Sequence, residues 1–300
     1  MSTVSIIIPC YNSESYVRRA VDSALKQTYK DCEILLIDNG SSDNTGNILA
    51  DYQNKNPKKI KVLHESKKGA PAARNRGINE SQGEWLQFLD SDDELLPNKI
   101  EHQVQITDGA DLIIGNRYKR KQIGNKIIEW LEEAEIGKPW LGLIKSRLGN
   151  TSANLWNRKS VLAVNGWNEQ QTSSQEYELM FRMLKSRAVV RFCSHPETII
   201  YVRNDSIVRS PSESKTSEIL QNKIKLRLQI RDYLKVNGLM TKELAREVDT
   251  YIFDRLMKYK DKAPEYVQKT ISEVNLKIPL YYRLQYRMKR IESKLKKVLK

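Results

Sequence analysis

The sequence predicts an α/β fold in which a mostly parallel sheet is flanked by helices and followed by a C-terminal helical region. Short apolar runs such as VSIIIP and CEILLID alternate with amphipathic segments along the first half of the chain, which is typical of a parallel sheet. The strand signals stop near residue 214. Apolar residues make up 39% of the 300 residues, which is enough to form a packed core.

Seven short apolar runs are the predicted strands, in the order VSIIIP, CEILLID, KVLH, EWLQFLD, DLIIGN, VVRFCS and TIIYVR. Helices are predicted at about residues 14–27 and 43–55. A third helix is expected to begin at Pro71 and to end at Gly83, because proline suits the first turn of a helix and glycine its end. Residues 130–187 are expected to form helices and loops.

Helices alone are expected beyond residue 214, at about 217–237, 241–262 and 280–299. The chain is therefore divided into a nucleotide-binding and catalytic domain of residues 1–213 and a basic helical region of residues 214–300. The first part carries 29 Lys and Arg against 27 Asp and Glu, whereas the second carries 22 against 10. This asymmetry indicates that the C-terminal region faces an anionic surface, either a membrane or nucleic acid.

The predicted last helix has a narrow apolar seam among its many basic residues: Tyr281, Leu284, Met288, Ile291, Leu295 and Val298. Such a helix is typical of peripheral contact with a membrane, and packing on the protein's own core or on a second subunit is an equal alternative. Nucleic-acid binding would also need aromatic side chains on which bases can stack. The tyrosines of this segment are explained more simply by the apolar seam. We therefore expect no nucleic-acid partner, and an oligomer is left open.

Several other classes of protein are not favoured by the sequence. No apolar run approaches the roughly 20 residues that span a bilayer, and the stretch MSTVSIIIPCYN lacks the features of a secretory signal. We therefore expect a cytoplasmic protein. The three cysteines and three histidines are isolated from one another, which argues against a disulfide framework or a zinc site. Any metal is expected to have oxygen ligands.

Three carboxylates follow the fourth predicted strand, in the stretch WLQFLDSDDEL: Asp90, Asp92 and Asp93. Ligands of open parallel sheets bind beyond the carboxyl ends of the strands, so this cluster is expected at the mouth of the sheet. Clustered negative charge is repulsive unless a cation lies nearby, and Mg2+ or Mn2+ uses one or two carboxylates with water and substrate phosphates. The alternative is that Ser91, Asp92 or Asp93 caps the following helix.

Two further segments carry polar groups to the expected site. Asp38 ends the second predicted strand, where its carboxylate could accept from a base or ribose or could satisfy the amides of the turn. The stretch GAPAARNRG places Arg74 and Arg76 at a helix start, where they could face a phosphate or could form an exposed charged face. The sequence has neither a Walker P-loop nor a GxGxxG motif.

Taken in order, these motifs resemble the large family two group of inverting glycosyltransferases, which has the Rossmann-like GT-A fold. The matching text is VSIIIPCYNSESYVRRAVDSALKQTYKDCEILLIDNGSSDNT and GAPAARNRGINESQGEWLQFLDSDDEL, with looser matches at GWNEQQTSSQEYELMFRML and YVRNDS. The resemblance implies a metal-dependent hexosyltransferase that uses Mg2+ or Mn2+. It would move a sugar from a nucleotide-diphosphate sugar, UDP-linked, to a glycan or lipid-linked acceptor in surface polysaccharide synthesis at the cytoplasmic face of the membrane.

The resemblance also implies roles for residues of the first two strands. Pro9, Tyr11 and Asn12 are expected to line the nucleotide pocket, and Asp38 is expected to contact the base. Asn39 stands where the family usually has a second Asp, which leaves only the first carboxylate.

The next two motifs belong to the sugar-diphosphate side of the implied site. Arg74 and Asn75 match the family's Arg-Asn pair near the nucleotide. Asp90 and Asp92 match its DxD motif, with Asp92 as the metal ligand and Asp90 near the ribose. Asp93 is then the residue assigned to the helix cap.

The catalytic base of the family usually lies in a Glu-Asp pair, which Gln175 and Glu176 replace here. Glu176 is the candidate base, Glu178 is the next candidate, and a carboxylate favoured by the helix dipole is the structural alternative for Glu176. Trp167 and Asn168 could shape the acceptor site, although Trp167 could equally belong to the core. A non-catalytic nucleotide-sugar-binding or scaffold protein of the same fold is the alternative function.

Overall fold

The computed structural model describes residues 3–203, residues 213–284 and residue 288. The chain divides into two compact units, Met1–Ser210 and Pro211–Lys300. Each unit is described by itself below.

The described part of the first unit contains nine strands: β1 (Val4–Cys10), β2 (Cys32–Asp38), β3 (Ile60–His64), β4 (Trp85–Phe88), β5 (Glu94–Leu95), β6 (Leu112–Ile123), β7 (Lys126–Glu132), β8 (Leu155–Asn157) and β9 (Val190–Tyr201). Its helices are α1 (Val17–Leu25), α2 (Thr45–Lys55), α3 (Ala70–Glu80), α4 (Lys99–Val104), α5 (Pro139–Lys145), α6 (Arg158–Ala163) and α7 (Gln175–Lys185).

These strands form one sheet with the order β3-β2-β1-β4-β8-β6-β9-β5, and β7 pairs with β6 at the side. Strands β3, β2, β1 and β4 are parallel neighbours, and β6 and β9 run in the same direction as these four. Strands β5, β7 and β8 run the opposite way. The predicted α/β class with a mostly parallel sheet is therefore confirmed. Chain order reverses between β1 and β4, where the carboxyl ends of the strands leave a crevice.

Helices on both faces of the sheet bury strand β1. Ile6 and Ile8 join the apolar side chains of α1, including Val21, in one core cluster. On the other face Ile7 meets α3, where a Cβ at Gly77 would lie only 2.4 Å from the Ile7 Cγ2 atom. The glycine therefore lets α3 lie directly on the strand. Each fully buried isoleucine contributes about 1.5–3 kcal/mol to folding, so this core fixes the position of the strand ends.

The region after β4 differs most from the predicted elements. DLIIGN is only the beginning of the twelve-residue strand β6, and VVRFCS and TIIYVR belong to one continuous strand, β9. Strands β7 and β8 were not predicted, and both include residues of the 130–187 segment that was expected to hold only helices and loops. The second half of β6 reads RYKRKQI, which is charged and only partly buried, so an apolar pattern could not reveal it.

The second unit is helical in its described residues, with α8 (Glu213–Val236), α9 (Lys242–Tyr259) and α10 (Pro264–Glu273). Residues 280–284 and residue 288 are also helical. The rest of the predicted last helix, including Ile291, Leu295 and Val298, lies outside the described residues. Among the residues that the structure describes, no helix combines the length and the apolar character needed to cross a membrane.

Candidate active site

The acidic loop, residues 90–93, follows β4 at the carboxyl edge of the sheet. The Leu89 N–H still donates to the carbonyl of Ile7 in β1, so the loop leaves the sheet at the boundary between β1 and β4. The side chains of Asp90 and Asp92 are 34% and 26% exposed. The loop therefore presents two carboxylates at the crevice where a ligand of this fold class is expected.

Asp93 does not cap a helix, so that prediction is wrong. Helix α4 begins only at Lys99. The buried Asp93 carboxylate accepts a hydrogen bond from the Ser152 hydroxyl (2.7 Å) and one from the Tyr201 backbone N–H (3.4 Å). Burial, reinforced by the charge of Asp90, raises the pKa of Asp93 well above its usual value. Asp93 therefore anchors the acidic loop to the interior.

The Asp92 side chain has the charge environment that a divalent cation would relieve. Burial raises the pKa of its carboxyl, and the Asp90 charge raises it further. Its Oδ2 atom lies 3.1 Å from the Arg203 guanidinium, and its backbone carbonyl accepts a hydrogen bond from Arg19. These two cations only partly offset the repulsion between the two carboxylates.

The carboxylates of the acidic loop suit Mg2+ or Mn2+ as two ligands of a shell that water and a substrate complete. No group of three or more His, Cys, Asp or Glu side chains within the described ranges could hold a metal ion. Mg2+ commonly binds through only one or two carboxylates, with water and substrate phosphates completing its shell. Asp90 and Asp92 therefore suit a cation that arrives with a phosphorylated ligand.

Arg74 of α3 connects the acidic loop with the beginning of α7. The residue is only 4% exposed. Its guanidinium donates to Asp90 Oδ1 (2.6 Å) and to Gln175 Oε1 (3.0 Å), and it lies 4.5 Å from the centre of the Trp167 ring. A planar guanidinium suits this combination of two hydrogen bonds with ring stacking. We refer to this arrangement as the Arg74 bridge.

Glu176, the candidate base, follows Gln175 at the beginning of α7. Its side chain is half-buried, and burial raises the pKa of the carboxyl, with Arg74 opposing this rise and Asp90 adding to it. Among the described residues, its carboxylate has its own backbone N–H as hydrogen-bond partner and forms no ion pair. The carboxylate therefore remains available to a substrate and is close enough to the acidic loop to sense its charge.

Glu178, the alternative base, is already committed to an ion pair. Both of its carboxylate oxygens accept from Arg182 at 2.8 Å. Arg182 also donates to the backbone carbonyls of Val164 and Gly166, so the pair holds α7 against the preceding turn. Of the two candidates, the structure favours Glu176.

The turn before α7 is fastened to α3 by Asn75. The Asn75 amide donates to the Trp167 carbonyl (2.9 Å) and to Glu169 (2.8 Å), and its oxygen accepts from the Trp167 N–H (2.8 Å). Gly166 has a φ of +61°, and a Cβ there would lie 2.7 Å from Asn75 Oδ1. The Asn75 side chain therefore fixes this turn, and its predicted contact with the nucleotide remains a prediction.

Trp167 itself is a core residue that also supports the site. It is 2% exposed and packs edge-on against Phe88 of β4, with 5.1 Å between ring centres. Of the two interpretations of Trp167, the structure favours the core. The neighbouring Asn168 is exposed and accepts a hydrogen bond from the Gln170 N–H (3.0 Å).

The residues expected to form the nucleotide pocket lie at the ends of β1 and β2. Pro9 is the penultimate residue of β1, and the Tyr11 ring just after it is 51% exposed. Asn12, with a φ of 44°, accepts from the Ser42 N–H (2.8 Å) and so joins the two loops. Asp38, at the end of β2, is 7% exposed. The structure places all four beside one another at the carboxyl edge, and their contact with a nucleotide remains a prediction.

The hydrogen bonds of Asn39 explain why an asparagine suits a position where the family usually has an aspartate. Its amide nitrogen donates to the carbonyls of Glu65 (2.9 Å) and Lys67 (2.8 Å), and its oxygen accepts from the Gly69 N–H (2.8 Å). An aspartate has no donor for two carbonyls. Asn39 therefore holds the loop that leads into α3.

A buried polar network beneath the acidic loop has no counterpart in any motif of the sequence. Besides bonding to Asp93, the Ser152 hydroxyl accepts from the Asp90 N–H (3.2 Å), and the Ser152 carbonyl accepts from the Gln87 amide (2.8 Å). The Lys99 ammonium donates to Gln87 and to the Asn154 carbonyl, and burial lowers the pKa of Lys99 to about 7. In the sequence, Ser152 belongs to no motif and Lys99 lies in a polar segment, so both look like surface residues.

Comparison with known proteins now identifies the family. A family model described as Glycosyl transferase family 2 matches residues 5–161, just over half of the 300 residues. The matched range includes the loops after β1 and β2, Arg74 and the acidic loop. The chain belongs to this family. The predicted family resemblance is therefore confirmed.

Curated relatives of the family match only part of this chain. The glycosyltransferase GlyG of Streptococcus pneumoniae serotype 4 is 43% identical over 119 residues, which are 38% of this chain and 39% of that protein. An uncharacterized glycosyltransferase of Rickettsia felis is 34% identical over 193 residues, 61% of this chain and 31% of that protein. The match with this chain thus covers between three and four tenths of these relatives.

Solved structures of glycosyltransferases share the fold. TarS 1–349 of S. aureus in complex with UDP superposes with a TM-score of 0.57 and 17% identity, covering 95% of this chain and 78% of that one. The mannosyltransferase PcManGT of Pyrobaculum calidifontis, in complex with GDP-Man and Mn2+, gives 0.59 and 12%, covering 96% and 84%. The expected GT-A fold is therefore confirmed.

Proposed function

We propose that the protein is a metal-dependent, inverting glycosyltransferase. It would move a sugar from a nucleotide-diphosphate sugar, UDP-linked, to a hydroxyl of a glycan or lipid-linked acceptor in surface polysaccharide synthesis. The Arg74 bridge carries this proposal, because one guanidinium connects Asp90 of the acidic loop with Gln175, next to the candidate base. A site for a leaving diphosphate and a base for an incoming hydroxyl thus adjoin each other.

The donor side of the proposal is supported by the loops after β1 and β2. The exposed Tyr11 ring offers a face for a base, and the carboxylate of Asp38 offers an acceptor. TarS has been solved with UDP and with UDP-GlcNAc, and PcManGT with GDP-Man. We propose a nucleoside diphosphate on these loops, and its identity is a matter for experiment.

Asp92 would hold the Mg2+ or Mn2+, with Asp90 next to it and Arg74 and Arg203 supplying positive charge beside the same loop. When bound, the cation neutralises the charge that develops on the leaving nucleotide diphosphate. Ser152 and the buried Asp93 keep the loop in place, so the carboxylates need little rearrangement when a donor arrives.

Glu176 would act as the general base. Its carboxylate takes the proton from the acceptor hydroxyl while the hydroxyl oxygen bonds to the anomeric carbon, and the bond from that carbon to the diphosphate oxygen breaks. A single displacement of this kind inverts the configuration. The raised pKa of Glu176 brings the carboxyl closer to the working pH, which makes it a better proton acceptor.

A panel of nucleotide sugars with Mn2+ or Mg2+ tests metal, donor and fold together. We expect one donor class to raise the melting temperature in the presence of the metal, and Asp92→Asn to abolish the metal-dependent part of that rise. Product configuration would then be read by NMR. If no nucleotide sugar stabilises the protein with metal, the proposal is wrong. Binding without transfer or donor hydrolysis would favour the alternative of a non-catalytic nucleotide-sugar-binding or scaffold protein.

We also propose that the C-terminal region makes peripheral contact with the anionic cytoplasmic face of the membrane. Its charge of 22 basic against 10 acidic residues supports this, as do four helical residues that are at least half exposed: Leu280, Tyr281, Leu284 and Met288. A chain without residues 277–300 should bind anionic vesicles more weakly, and unchanged binding would contradict this placement.

A further inference from the structure

The ribbon formed by β6 and β7 exposes several large apolar side chains to solvent. Five of its residues are more than a third exposed: Ile123 (51%), Ile127 (67%), Ile128 (48%), Trp130 (37%) and Leu131 (43%). The three isoleucines lie next to the turn at residues 124–125, and Trp130 and Leu131 lie further along β7. Several exposed large apolar side chains on one ribbon indicate a site of interaction.

The cross-strand register distributes these side chains over both faces of the ribbon. Directly paired residues share a face, so Trp130 and Ile128 lie with Lys119 and Lys121 on one side. Ile127 and Leu131 alternate with them and lie on the other side. A folded protein partner would cover one face and leave the other in water. The interfacial layer of a membrane surrounds an inserted ribbon and covers both.

The charges of the ribbon favour an anionic surface. Residues 117–132 contain five Lys and Arg against two Asp and Glu. The two glutamates are matched by Arg120, Arg117 and Lys119. Within the described part of the chain, Lys121 and Lys126 form no ion pair, and both lie beside the exposed isoleucines near the turn. Each basic residue at an anionic lipid surface adds about 1 kcal/mol to binding.

The other end of the ribbon adjoins the candidate active site. Arg117 lies near enough to Glu176 to influence the pKa of that carboxyl. Arg120 donates to the hydroxyl of Tyr201 (3.0 Å), whose backbone N–H in turn bonds to Asp93. The six residue steps from Arg117 to Ile123 span about 20 Å. A surface that holds the turn would therefore lie about 20 Å along the ribbon from Arg117, the residue near the candidate base.

We propose that the tip of the β6–β7 ribbon inserts into the headgroup region of an anionic lipid bilayer, with Ile123, Ile127, Ile128 and Trp130 in the interface and Lys121 and Lys126 at lipid phosphates. Tryptophan and long basic side chains suit this layer, because one part of each is apolar and the other is polar. If the proposed function holds, the ribbon would hold the membrane where a lipid-linked acceptor reaches Glu176. The membrane contact itself does not depend on catalysis.

Tryptophan fluorescence of the full chain with vesicles of brominated lipids tests the contact, without donor or acceptor. Brominated acyl chains quench only a tryptophan that enters the interface, and Trp85, Trp156 and Trp167 are at most 2% exposed. We expect quenching by vesicles rich in phosphatidylglycerol, and loss of most of it in Trp130→Phe. An unquenched wild-type protein, or equal quenching in Trp130→Phe, would overturn the proposal. A contact made by the C-terminal region alone would leave Trp130 unquenched.

Sedimentation with the same vesicles measures affinity. The double variant Ile127→Ser, Ile128→Ser should bind about tenfold more weakly, whereas the matched control Leu162→Ser, in which a 40% exposed leucine of α6 is changed, should bind as the wild type does. Equal binding to purely zwitterionic vesicles would overturn the assignment to an anionic surface. If light scattering instead showed an oligomer that the double variant dissociates, and Trp130 were not quenched, a second copy of the chain would be the occupant and the proposal would be wrong.

Discussion

Replacing Glu176 with glutamine separates its proposed catalytic role from a structural one. Glutamine keeps the size of the side chain and removes its ability to accept a proton. General-base assistance contributes about 10²–10⁴ in rate, which corresponds to about 3–5 kcal/mol of barrier. We therefore expect transfer to fall by this factor in Glu176→Gln, while donor binding, which we propose depends on Asp92 and the loops after β1 and β2, changes little.

Glu176→Gln is expected to lower the transfer rate. The raised pKa of Glu176 predicts that the same substitution does not lower the free energy of unfolding at pH 7. Because the folded pKa lies above the unfolded value, the folded chain binds more protons in the window between the two values. The group thus favours folding fully only at low pH, and this contribution is lost as the pH rises through the folded pKa. Above the folded pKa the half-buried carboxylate is ionised and opposes folding. Glu176→Gln should therefore be at least as stable as the wild type at pH 7, with the difference closing in acid.

Glu178→Gln is the matched control on the same helix. It breaks a two-pronged ion pair with Arg182 whose side chains are 15% and 24% exposed, so a loss of about 1 kcal/mol in stability is expected together with nearly normal transfer. The assays are single-turnover transfer and urea unfolding at several pH values. The reasoning fails if Glu176→Gln keeps more than one tenth of the wild-type rate, or if Glu178→Gln is the slower enzyme.

Two other substitutions test the network around the site. Asn39→Asp, which restores the residue usual in the family, should lower the free energy of unfolding by about 1–2 kcal/mol, since two partly buried carbonyls would lose their donor; an unchanged urea midpoint would contradict this. For Lys99, the unfolded pKa of about 10.4 exceeds the folded pKa of about 7, so the unfolded chain binds more protons between them and stability rises with pH. Lys99→Met should remove a rise of about 3 kcal/mol between about pH 7 and about pH 9.5, and an equal rise in both proteins would argue against a lowered pKa of Lys99 in the folded chain.

The elements that the sequence predicts well are those whose burial is uniform. Strands β1 and β2 are covered on both faces, so VSIIIP and CEILLID appear as unbroken apolar runs and their ends are well defined. Asp38 follows from this directly, because a polar residue at the end of such a strand must lie at the carboxyl edge. The acidic loop was located in the same way after β4.

The rest depends on contacts between residues far apart in the chain, which no local pattern encodes. Asp93 resembled a helix cap because it stands before a helical segment, but Ser152, 59 positions away, draws it into the interior. Glu176 and Glu178 could not be separated in sequence, since two carboxylates in the first turn of a helix look alike. Only the position of Arg182, and the carbonyls it also holds, shows that Glu178 is occupied.

The Arg74 bridge determines how charge is compensated around the candidate site. Arg74 is buried, so its charge must be satisfied by partners, and the structure supplies Asp90, Gln175 and the face of Trp167. Gln175 stands where the family usually has a carboxylate. The Arg74 guanidinium therefore has a neutral acceptor on one side, and compensation of its charge is left to Asp90. The positive charge is therefore weighted toward the acidic loop, where a diphosphate would be held, and burial raises the pKa of Glu176 although the Arg74 charge opposes this rise. The glutamine at position 175 thus leaves the Arg74 charge to Asp90, and the proposed role of Glu176 as the base stays a prediction.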